Sequence, residues 1–448
     1  MKNPLIRLYA EAGLLVPCLR PALILGTVTL SLPGCEPRNP GIDVASVERV
    51  ITTLSADEML GRATFTPGID KAADFIRDEF ASIGLEVFAG ADDYLQRFVV
   101  YSFPFENRRV VLNGIEIPSD RVTGWAGAPS VHWTIGDSVD VIVIGPEDAV
   151  QWVNSRRMID RNTLILISTN HQAFFRRMAD DLASTDDVFL DPSGATRVCV
   201  LTDETQVTSY EVEITAPLEE LPLTNVVGVI PGRRENEIVL FGGHYDGIGI
   251  LDPVGGDSIA NGANDDASGT TAVIELARYL KAREKPELTL MFAAFTAEEG
   301  GRWGSKYLAR QLNPTEIIAM LNLEAMGKVD PQGRNRAHFT GFHRSDVGAI
   351  LQRAMEGTPY FFYPDPYVGQ ALFRRSDNAP FASLGVPAHT IATISMDPRD
   401  EDLHQVTDEV ETLDLIHLTG LIRAIALGAT PIISGEATPT RIDPPLGG

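Results

Sequence analysis

The sequence has few cysteines, few basic residues for its number of acidic ones, and no internal repeat of 20–50 residues. Cys18, Cys35 and Cys199 lie far apart and form no C-x-x-C pair, so the spacing supports neither a disulfide framework nor a thiolate zinc site. We expect Cys199 to be a small buried strand residue. With 37 basic and 61 acidic residues, the net charge of −24 argues against nucleic acid or anionic lipid as the main partner, because both are bound through Lys and Arg.

The 448 residues, 44% of them hydrophobic, are enough for one large globular domain with an added lobe, or for two ordinary domains. Two amphipathic helices are predicted within residues 43–104, which we take as the first part of the main domain. Residues 105–206 show short strand-like runs and are predicted to form an inserted, mixed lobe. The main domain resumes at 207–430, and the Pro- and Gly-rich residues 431–448 are expected to be disordered.

The N-terminus differs in kind from the rest of the chain. Basic residues precede a short apolar stretch at 22–32, and "PGC" ends at Cys35. An apolar stretch of this length is typical of an export signal and too short for a membrane span. The segment 1–35 resembles the signal of bacterial lipoproteins, which implies an acylated Cys35, a polar tether at 36–42, and location in the periplasm or cell envelope. Soluble export and an uncleaved anchor are the alternatives.

Cys35→Ser tests the lipid anchor. Without the thiol there is no acylation site, so we expect the variant to leave the membrane fraction when cells are fractionated. A variant that still fractionates with membranes would rule out the lipid anchor.

From Thr224 onward, near-continuous apolar strands alternate with amphipathic helices. This pattern predicts an α/β fold with a mostly parallel, mixed sheet covered by helices on both faces. The functional site of such a sheet lies beyond the carboxyl ends of its strands. The predicted strands are "NVVGVI", "EIVLFGG", "ELTLMFAAFT", "EIIAMLNLE" and "VPAHTIAT".

Carboxylates and imidazoles follow four of these strands, and two more carboxylates precede a predicted helix. Each group alone has an ordinary explanation as a solvated turn or a helix cap. Their recurrence at one edge of the sheet instead predicts a single site. Its members are His244 and Asp246, Asp265 and Asp266, Glu298 and Glu299, Glu324, and His404 and Asp408.

These nitrogen and oxygen ligands suit Zn²⁺ or a similar cation, and their number suggests two ions that share an aspartate. Adjacent Glu298 and Glu299 would point in different directions in an extended segment, so one can bind metal while the other acts as a base. Asp246 and Asp408 suit a role in orienting the two histidines.

The motifs "GGHYDG", "GANDDASGT", "FTAEEGGRWGSKYLA", "NLEAMG" and "HQVTDEVE", in this order, resemble metallopeptidase family twenty-eight. That family comprises co-catalytic zinc aminopeptidases, such as the bacterial leucyl aminopeptidases, with glutamate carboxypeptidases and glutaminyl cyclases. The resemblance spans roughly residues 46–100 and 224–428. It implies a zinc-exopeptidase fold of three layers (α/β/α), a peptide substrate, two Zn²⁺ ions, and Glu298 as general base. It further implies one ion on His244, Asp265 and Glu324, and the other on Asp265, Glu299 and His404.

Three positions depart from the family's commonest pattern. Glu324 stands where Asp is frequent, and Asn378 and Leu403 replace aromatic or imidazole residues. These last two changes put the substrate pocket, not the metal ligands, in question.

We expect an aminopeptidase; the alternatives are a carboxypeptidase or glutaminyl cyclase of the same fold, or a binding protein that kept the fold without its chemistry. A carboxypeptidase needs a cation for the substrate's terminal carboxylate, and Arg302, Arg374 and Arg375 are available. The oligomeric state is left open. The remaining histidines have no motif partner and are expected to be surface or core residues: His132, His171, His338, His343, His389 and His417.

Overall fold

The computed structural model describes residues 41–150, 153, 161–184, 188–191 and 194–442. The predicted export signal, with Cys35, lies outside these residues. The helices are, in chain order, α1 Val44–Leu54, α2 Pro67–Ile83, α3 Gln172–Ser184, α4 Ser268–Lys281, α5 Trp303–Gln311, α6 Val347–Ala354, α7 Asn378–Ala382, α8 Leu415–Gly428 and α9 Thr430–Ile433. The strands are β1 Glu86–Val87, β2 Leu95–Ser102, β3 Asn107–Leu112, β4 Ile115–Ile117, β5 Val122–Trp125, β6 Ser130–Thr134, β7 Asp140–Ile144, β8 Thr163–Ile167, β9 Val188–Phe189, β10 Arg197–Leu201, β11 Tyr210–Thr215, β12 Glu219–Ile230, β13 Arg234–His244, β14 Gly249–Val254, β15 Asp257–Ala260, β16 Leu288–Phe295, β17 Ile317–Leu323, β18 Arg336–Phe339, β19 Phe361–Pro364 and β20 Ala388–Ala392.

The main sheet has a parallel centre and antiparallel flanks. Its strand order is β19-β18-β20-β17-β13-β16-β12-β2-β9, with β1 paired to β12. Strands β16, β13, β17 and β20 are parallel neighbours, so their carboxyl ends lie at one edge. On the flanks, β12 is antiparallel to β16 and β18 is antiparallel to β20.

Side-chain alternation along the central strands accounts for the layers, because successive residues of a strand face opposite sides of the sheet. In β13, Val239 and Phe241 join a core with α1, α2, α4, α6 and α8, whereas Ile238 and Leu240 join a second core with α5 and α7. The predicted α/β fold with helices on both faces is therefore confirmed. The stretch Leu415–Ile433 is apolar and long enough to span a membrane, but most of it is buried inside this fold, as in a core helix.

The inserted lobe consists of two four-stranded sheets, β4-β3-β11-β6 and β5-β10-β8-β7. Val110 and Val212 of the first sheet share a core with Leu164 and Val198 of the second. Cys199 points to the other face of the second sheet, where it is buried beneath α3, as predicted. Strand β11 pairs with β3 and β6. The lobe therefore extends to Thr215, beyond its predicted end at residue 206.

The prediction of a disordered tail from residue 431 is wrong as far as Ile442. Helix α9 continues the chain, and Ile442 is only 3% exposed, within the core on the α5 and α7 side. The Arg441 guanidinium donates to the carbonyls of Ile317 and Pro314. A sequence rich in Pro and Gly can therefore be held by a few anchor residues.

Arg62 ties the N-terminal helices to the loops at the carboxyl edge of the sheet. It follows α1 in a 3₁₀ turn, Asp57–Arg62, and its side chain is fully buried. Its Nε donates to Tyr245 O (2.9 Å), Nη1 to Leu54 O and Asn261 O (both 2.6 Å), and Nη2 to Gly262 O (2.9 Å). One guanidinium thus joins three chain segments through their carbonyls.

Arg62→Met should lower the free energy of unfolding by about 3–5 kcal/mol, because it leaves four buried carbonyls without a donor. Arg62→Lys should also be destabilising, since an ammonium cannot reproduce the planar fork. Urea denaturation of each variant measures the loss. Arg97→Met is the control: Arg97 is 62% exposed in its ion pair with Asp93, and we expect a change of about 1 kcal/mol or less. Equal effects at the two positions would contradict the role of Arg62.

Candidate metal centre

The predicted site residues converge at the carboxyl edge of the parallel strands. His244 ends β13, Glu298 and Glu299 follow β16, and Glu324 follows β17. His404 lies in the loop after β20, and Asp265 lies in the turn that leads into α4. The order of the strands in the sheet thus brings together site residues that lie 20 to 140 positions apart in the sequence.

Two groups of three side chains share Asp265. His244, Asp265 and Glu324 form one, and Asp265, Glu299 and His404 form the other; within each, the potential ligand atoms lie within 4.8 Å of one another. Asp265 Oδ1 is 3.2 Å from His244 Nε2, and Asp265 Oδ2 is 3.2 Å from His404 Nε2. The two oxygens of one carboxylate therefore face the two imidazoles, as a bridge between two cations requires.

The structure distinguishes Asp265 from Asp266, which follows it through a cis peptide bond. The Asp266 carboxylate belongs to neither ligand group and accepts the backbone N–H groups of His244 (3.2 Å), Gly269 (2.9 Å) and Ala325 (3.0 Å). Asp266 is fully buried, and burial raises its pKa well above the usual range. Its position joins β13, α4 and the loop after β17, so it orders the elements that carry the ligands.

Asp246 contacts both its histidine and a neighbouring loop. Its Oδ1 is 3.5 Å from His244 Nδ1, consistent with the predicted orienting role. The same carboxylate accepts the backbone N–H groups of Glu298 (3.0 Å) and Glu299 (3.2 Å). Asp246 therefore sets the position of the two glutamates as well, which the sequence analysis did not anticipate.

Asp408 was predicted to orient His404, and the structure gives it a different contact. Its carboxylate accepts the backbone N–H groups of Asn264 (2.8 Å) and Asp265 (3.0 Å). It thus supports the bridging aspartate, because the loop after His404 folds back onto the turn before α4.

The residues around Glu324 hold its carboxylate in place. Asn322 Nδ2 donates to Glu324 Oε2 at 3.2 Å, and the Ser376 hydroxyl donates to the same oxygen. Neither residue was assigned a role from the sequence, although Asn322 begins the motif "NLEAMG". The unusual Asn378 is buried and bonds to Phe373 O and Thr390 Oγ1, so it has a packing role in this chain.

The electrostatics are those of crowded acids. Although burial opposes it, contact with His244 and His404 holds the pKa of Asp265 well below its usual range. Contact with Asp265 and Glu299 raises the pKa of His404 to about 10. Loss of hydration, reinforced by Asp377 and other nearby carboxylates, raises the pKa of Glu298 well above its usual range. Protons on the imidazoles and carboxyls therefore offset the charge that a bound cation would otherwise neutralise.

A cavity of about 120 Å³ adjoins these side chains. Its wall includes His338 and Leu403. Leu403, like Asn378, stands where the family commonly has an aromatic or imidazole residue. The His338 ring is fully buried, 3.7 Å from Asp330, and neither ring nitrogen has a hydrogen-bond partner among the described residues. The other residues that line the cavity are Asp265, Glu298, Glu299, Glu324, Ala325, Thr340, Leu372, Arg375, Ser376, Thr390, Ala392, Ile394, Met396, Arg399 and His404.

Comparison with curated proteins finds zinc peptidases and aminopeptidases. The chain is 39% identical over 140 residues to a probable zinc metalloprotease of Pyrenophora teres f. teres, which covers 30% of this chain and 28% of that protein. It is 30% identical over 211 residues to leucine aminopeptidase 1 of Penicillium rubens, covering 43% and 52%. The chain thus matches about half or less of the length of these relatives.

Solved structures with the same fold include two bacterial aminopeptidases. A zinc aminopeptidase from Bacillus subtilis superposes with a TM-score of 0.54 at 17% identity, over 89% of this chain and 97% of that one. An aminopeptidase from Aneurinibacillus sp. strain AM-1 gives a TM-score of 0.51 at 20% identity, over 88% and 94%. At these identities the similarity establishes a common fold.

The sequence profile described as Peptidase family M28 matches residues 225–427. This range contains Glu298 and every candidate ligand. Residues 225–427 of the chain are therefore similar to the zinc metallopeptidases of peptidase family M28.

Proposed function

We propose that the protein is a di-zinc aminopeptidase that removes residues from the free N-terminus of peptides. The observation that carries the proposal is the pair of ligand groups that share Asp265, with Glu298 beside them in one cavity. The names of the aminopeptidase relatives point in the same direction.

The side chains present fit zinc. Imidazole nitrogens and carboxylate oxygens are the ligands of catalytic zinc sites, and no thiolate is needed. His244, Asp265 and Glu324 would hold one ion, and Asp265, Glu299 and His404 the other. Glu299 Oε1 is buried, lies 3.3 Å from His404 Nε2, and has no well-aligned hydrogen bond to any described residue, as expected of an atom placed for a cation. Bound zinc would polarise the scissile carbonyl, hold the substrate's amine and lower the pKa of a water molecule.

Glu298 supplies the proton transfer. Its carboxylate takes one proton from the water as the water oxygen attacks the carbonyl carbon. The same carboxyl then gives that proton to the nitrogen as the C–N bond breaks, which yields a free amino acid and a shortened peptide. The raised pKa of Glu298 makes it a stronger base, and bound cations would favour its ionised form.

The cavity wall suits an uncharged first side chain. Ala392, Ile394 and Leu403 belong to one apolar cluster beside the ligands, and all three line the cavity. An apolar side chain placed there would be removed from water at about 25 cal/mol per Å² of buried surface.

Glu298→Gln should reduce kcat for leucine p-nitroanilide by about a hundred- to ten-thousandfold, because the amide cannot accept the proton. Zinc content, measured by mass spectrometry on protein purified without chelator, should stay near two per chain. Glu284→Gln is the control, since Glu284 is exposed and has no described contact.

A Glu298→Gln variant that binds zinc and keeps its rate would contradict the mechanism. The same assay with N-blocked and N-terminal Gln peptides separates the alternatives. A carboxypeptidase would cleave blocked peptides, a cyclase would act only on N-terminal Gln, and a binding protein would turn over none of them.

The stability of chelator-treated protein should fall as the pH rises from 5 to 8. Burial raises the pKa of Asp377 and of Asp408 from the usual 3.8 to about 7. The native state therefore keeps protons that the unfolded state releases, so these groups stabilise the fold below about pH 4 and lose that effect as the pH rises through about 7. His404, whose pKa is raised to about 10, loses its contribution between about pH 6.5 and 10.

Thermal unfolding measures the effect. The chelated protein should unfold several degrees lower at pH 8 than at pH 5. Added zinc should raise the unfolding temperature more at pH 8, because it binds the deprotonated ligands. A chelated protein that is more stable at pH 8 would show that these groups do not govern its stability.

A further inference from the structure

We propose that Arg375 and Arg399 bind a carboxylate on the residue that follows the scissile bond, so that short peptides with a free C-terminus are preferred substrates. This inference rests on the proposed aminopeptidase function. It assigns a substrate class to the site through two side chains that the metal chemistry does not use.

Both arginines line the cavity that holds the candidate metal ligands. Arg375 follows a 3₁₀ turn, Leu372–Arg374, and Arg399 lies in the turn after β20. Two separate segments thus bring guanidinium groups to the cavity that contains Asp265, Glu299 and Glu324. Arg375 and Arg399 are both exposed, which places them at its mouth.

Hydrogen bonds join the two segments to each other. Gln370 Nε2 donates to Met396 O at 3.0 Å, and the Tyr367 hydroxyl lies 3.4 Å from Ser395 Oγ. Ser395 Oγ in turn donates to Pro398 O at 2.7 Å, next to Arg399. The two chain segments that carry the arginines are therefore joined in one local framework, which lowers the entropy cost of bringing both segments to one ligand.

Neither arginine side chain has an ion-pair partner among the described residues, although the chain has 61 acidic residues against 37 basic ones. The nearby acids Asp400 and Asp402 both bind Lys328 Nζ, at 2.8 and 2.5 Å. The guanidinium groups at the cavity mouth are thus left for another anion. A planar guanidinium matches a carboxylate with two parallel hydrogen bonds.

The three arginines named from the sequence, Arg302, Arg374 and Arg375, have different surroundings in the fold. Arg302 Nη1 donates to Arg374 O at 2.6 Å, so Arg302 supports the loop. Arg374 lines a different, mostly apolar cavity next to Phe342 and Phe373. Of those three, Arg375 alone lines the cavity of the metal centre, and Arg399 joins it from a part of the sequence without a motif.

A dipeptide has the complementary charge pattern. Its carboxylate lies one residue, about 3.8 Å of chain, beyond the scissile carbonyl. The neutral amine would be held at the metal centre, as proposed above, while the carboxylate meets the arginines.

The test compares Leu-Ala with its amide Leu-Ala-NH₂, with leucine p-nitroanilide as a substrate that has no carboxylate. The wild-type zinc enzyme should prefer the free dipeptide over its amide by roughly ten- to a hundredfold in kcat/KM, the range expected for a hydrogen bond to a charged group. Arg375→Gln and Arg399→Gln should each reduce this preference to about threefold or less, mainly through KM. Their rates on leucine p-nitroanilide, which has no carboxylate, measure any general loss of activity separately from the loss of this preference. Arg374→Gln, a change of the adjacent arginine, should keep the preference.

A second pair of substrates, Leu-Asp-NH₂ and Leu-Asn-NH₂, identifies the source of the carboxylate. A preference for the Asp peptide that both variants lose would support binding of an acidic side chain at the same place. Equal rates on both pairs, with leucine p-nitroanilide cleaved, would overturn this inference and leave the aminopeptidase proposal standing. If no substrate with a free amine is cleaved, both proposals fail.

Discussion

Repulsion among crowded carboxylates is the constraint that shapes the carboxyl edge of the sheet. Asp246, Asp265, Asp266, Asp377 and Asp408 are buried there, and three glutamates adjoin them. A charge removed from water is costly unless it is paired or hydrogen-bonded. The fold reduces this cost in three ways. Backbone N–H groups donate to some of the acids, imidazoles contact others, and the remaining carboxylate oxygens are available to bind cations.

The carboxylates divide into two kinds by the partners they have. Asp246, Asp266 and Asp408 are saturated by backbone amides and so join loops to one another. Asp265, Glu299 and Glu324 keep oxygens directed at imidazoles or at open space. Arg62 adds to the same framework, because it donates to the carbonyls of Tyr245 and Gly262. These residues lie in the same loops as the amides that Asp266 and Asp408 accept. The metal site is therefore built on loops, yet those loops are cross-linked by buried charges.

The cavity beside the site is lined by groups of both charges. Carboxylates such as Glu299, apolar residues such as Ile394, and two exposed arginines, Arg375 and Arg399, all contribute to its wall. The inserted lobe has its own cores, and none of its described residues lines this cavity.

Much of the fold and the site could be predicted because both depend on local patterns. Apolar runs such as Ile238–Phe241 identify buried parallel strands, and polar residues at their ends identify the site, since parallel strands end at one edge. The short strands β18 and β19 escaped prediction because four residues carry too little periodicity, and the packed tail escaped because its anchors, such as Ile442, are single residues. The sequence alone predicted that His244, Asp265, Glu298, Glu299, Glu324 and His404 meet at one edge of the sheet. Only the tertiary structure decided which oxygens face the imidazoles, that Asp408 supports Asp265, and that Arg399 shares a cavity with Arg375, because these contacts depend on loop conformations set by residues far apart in the chain.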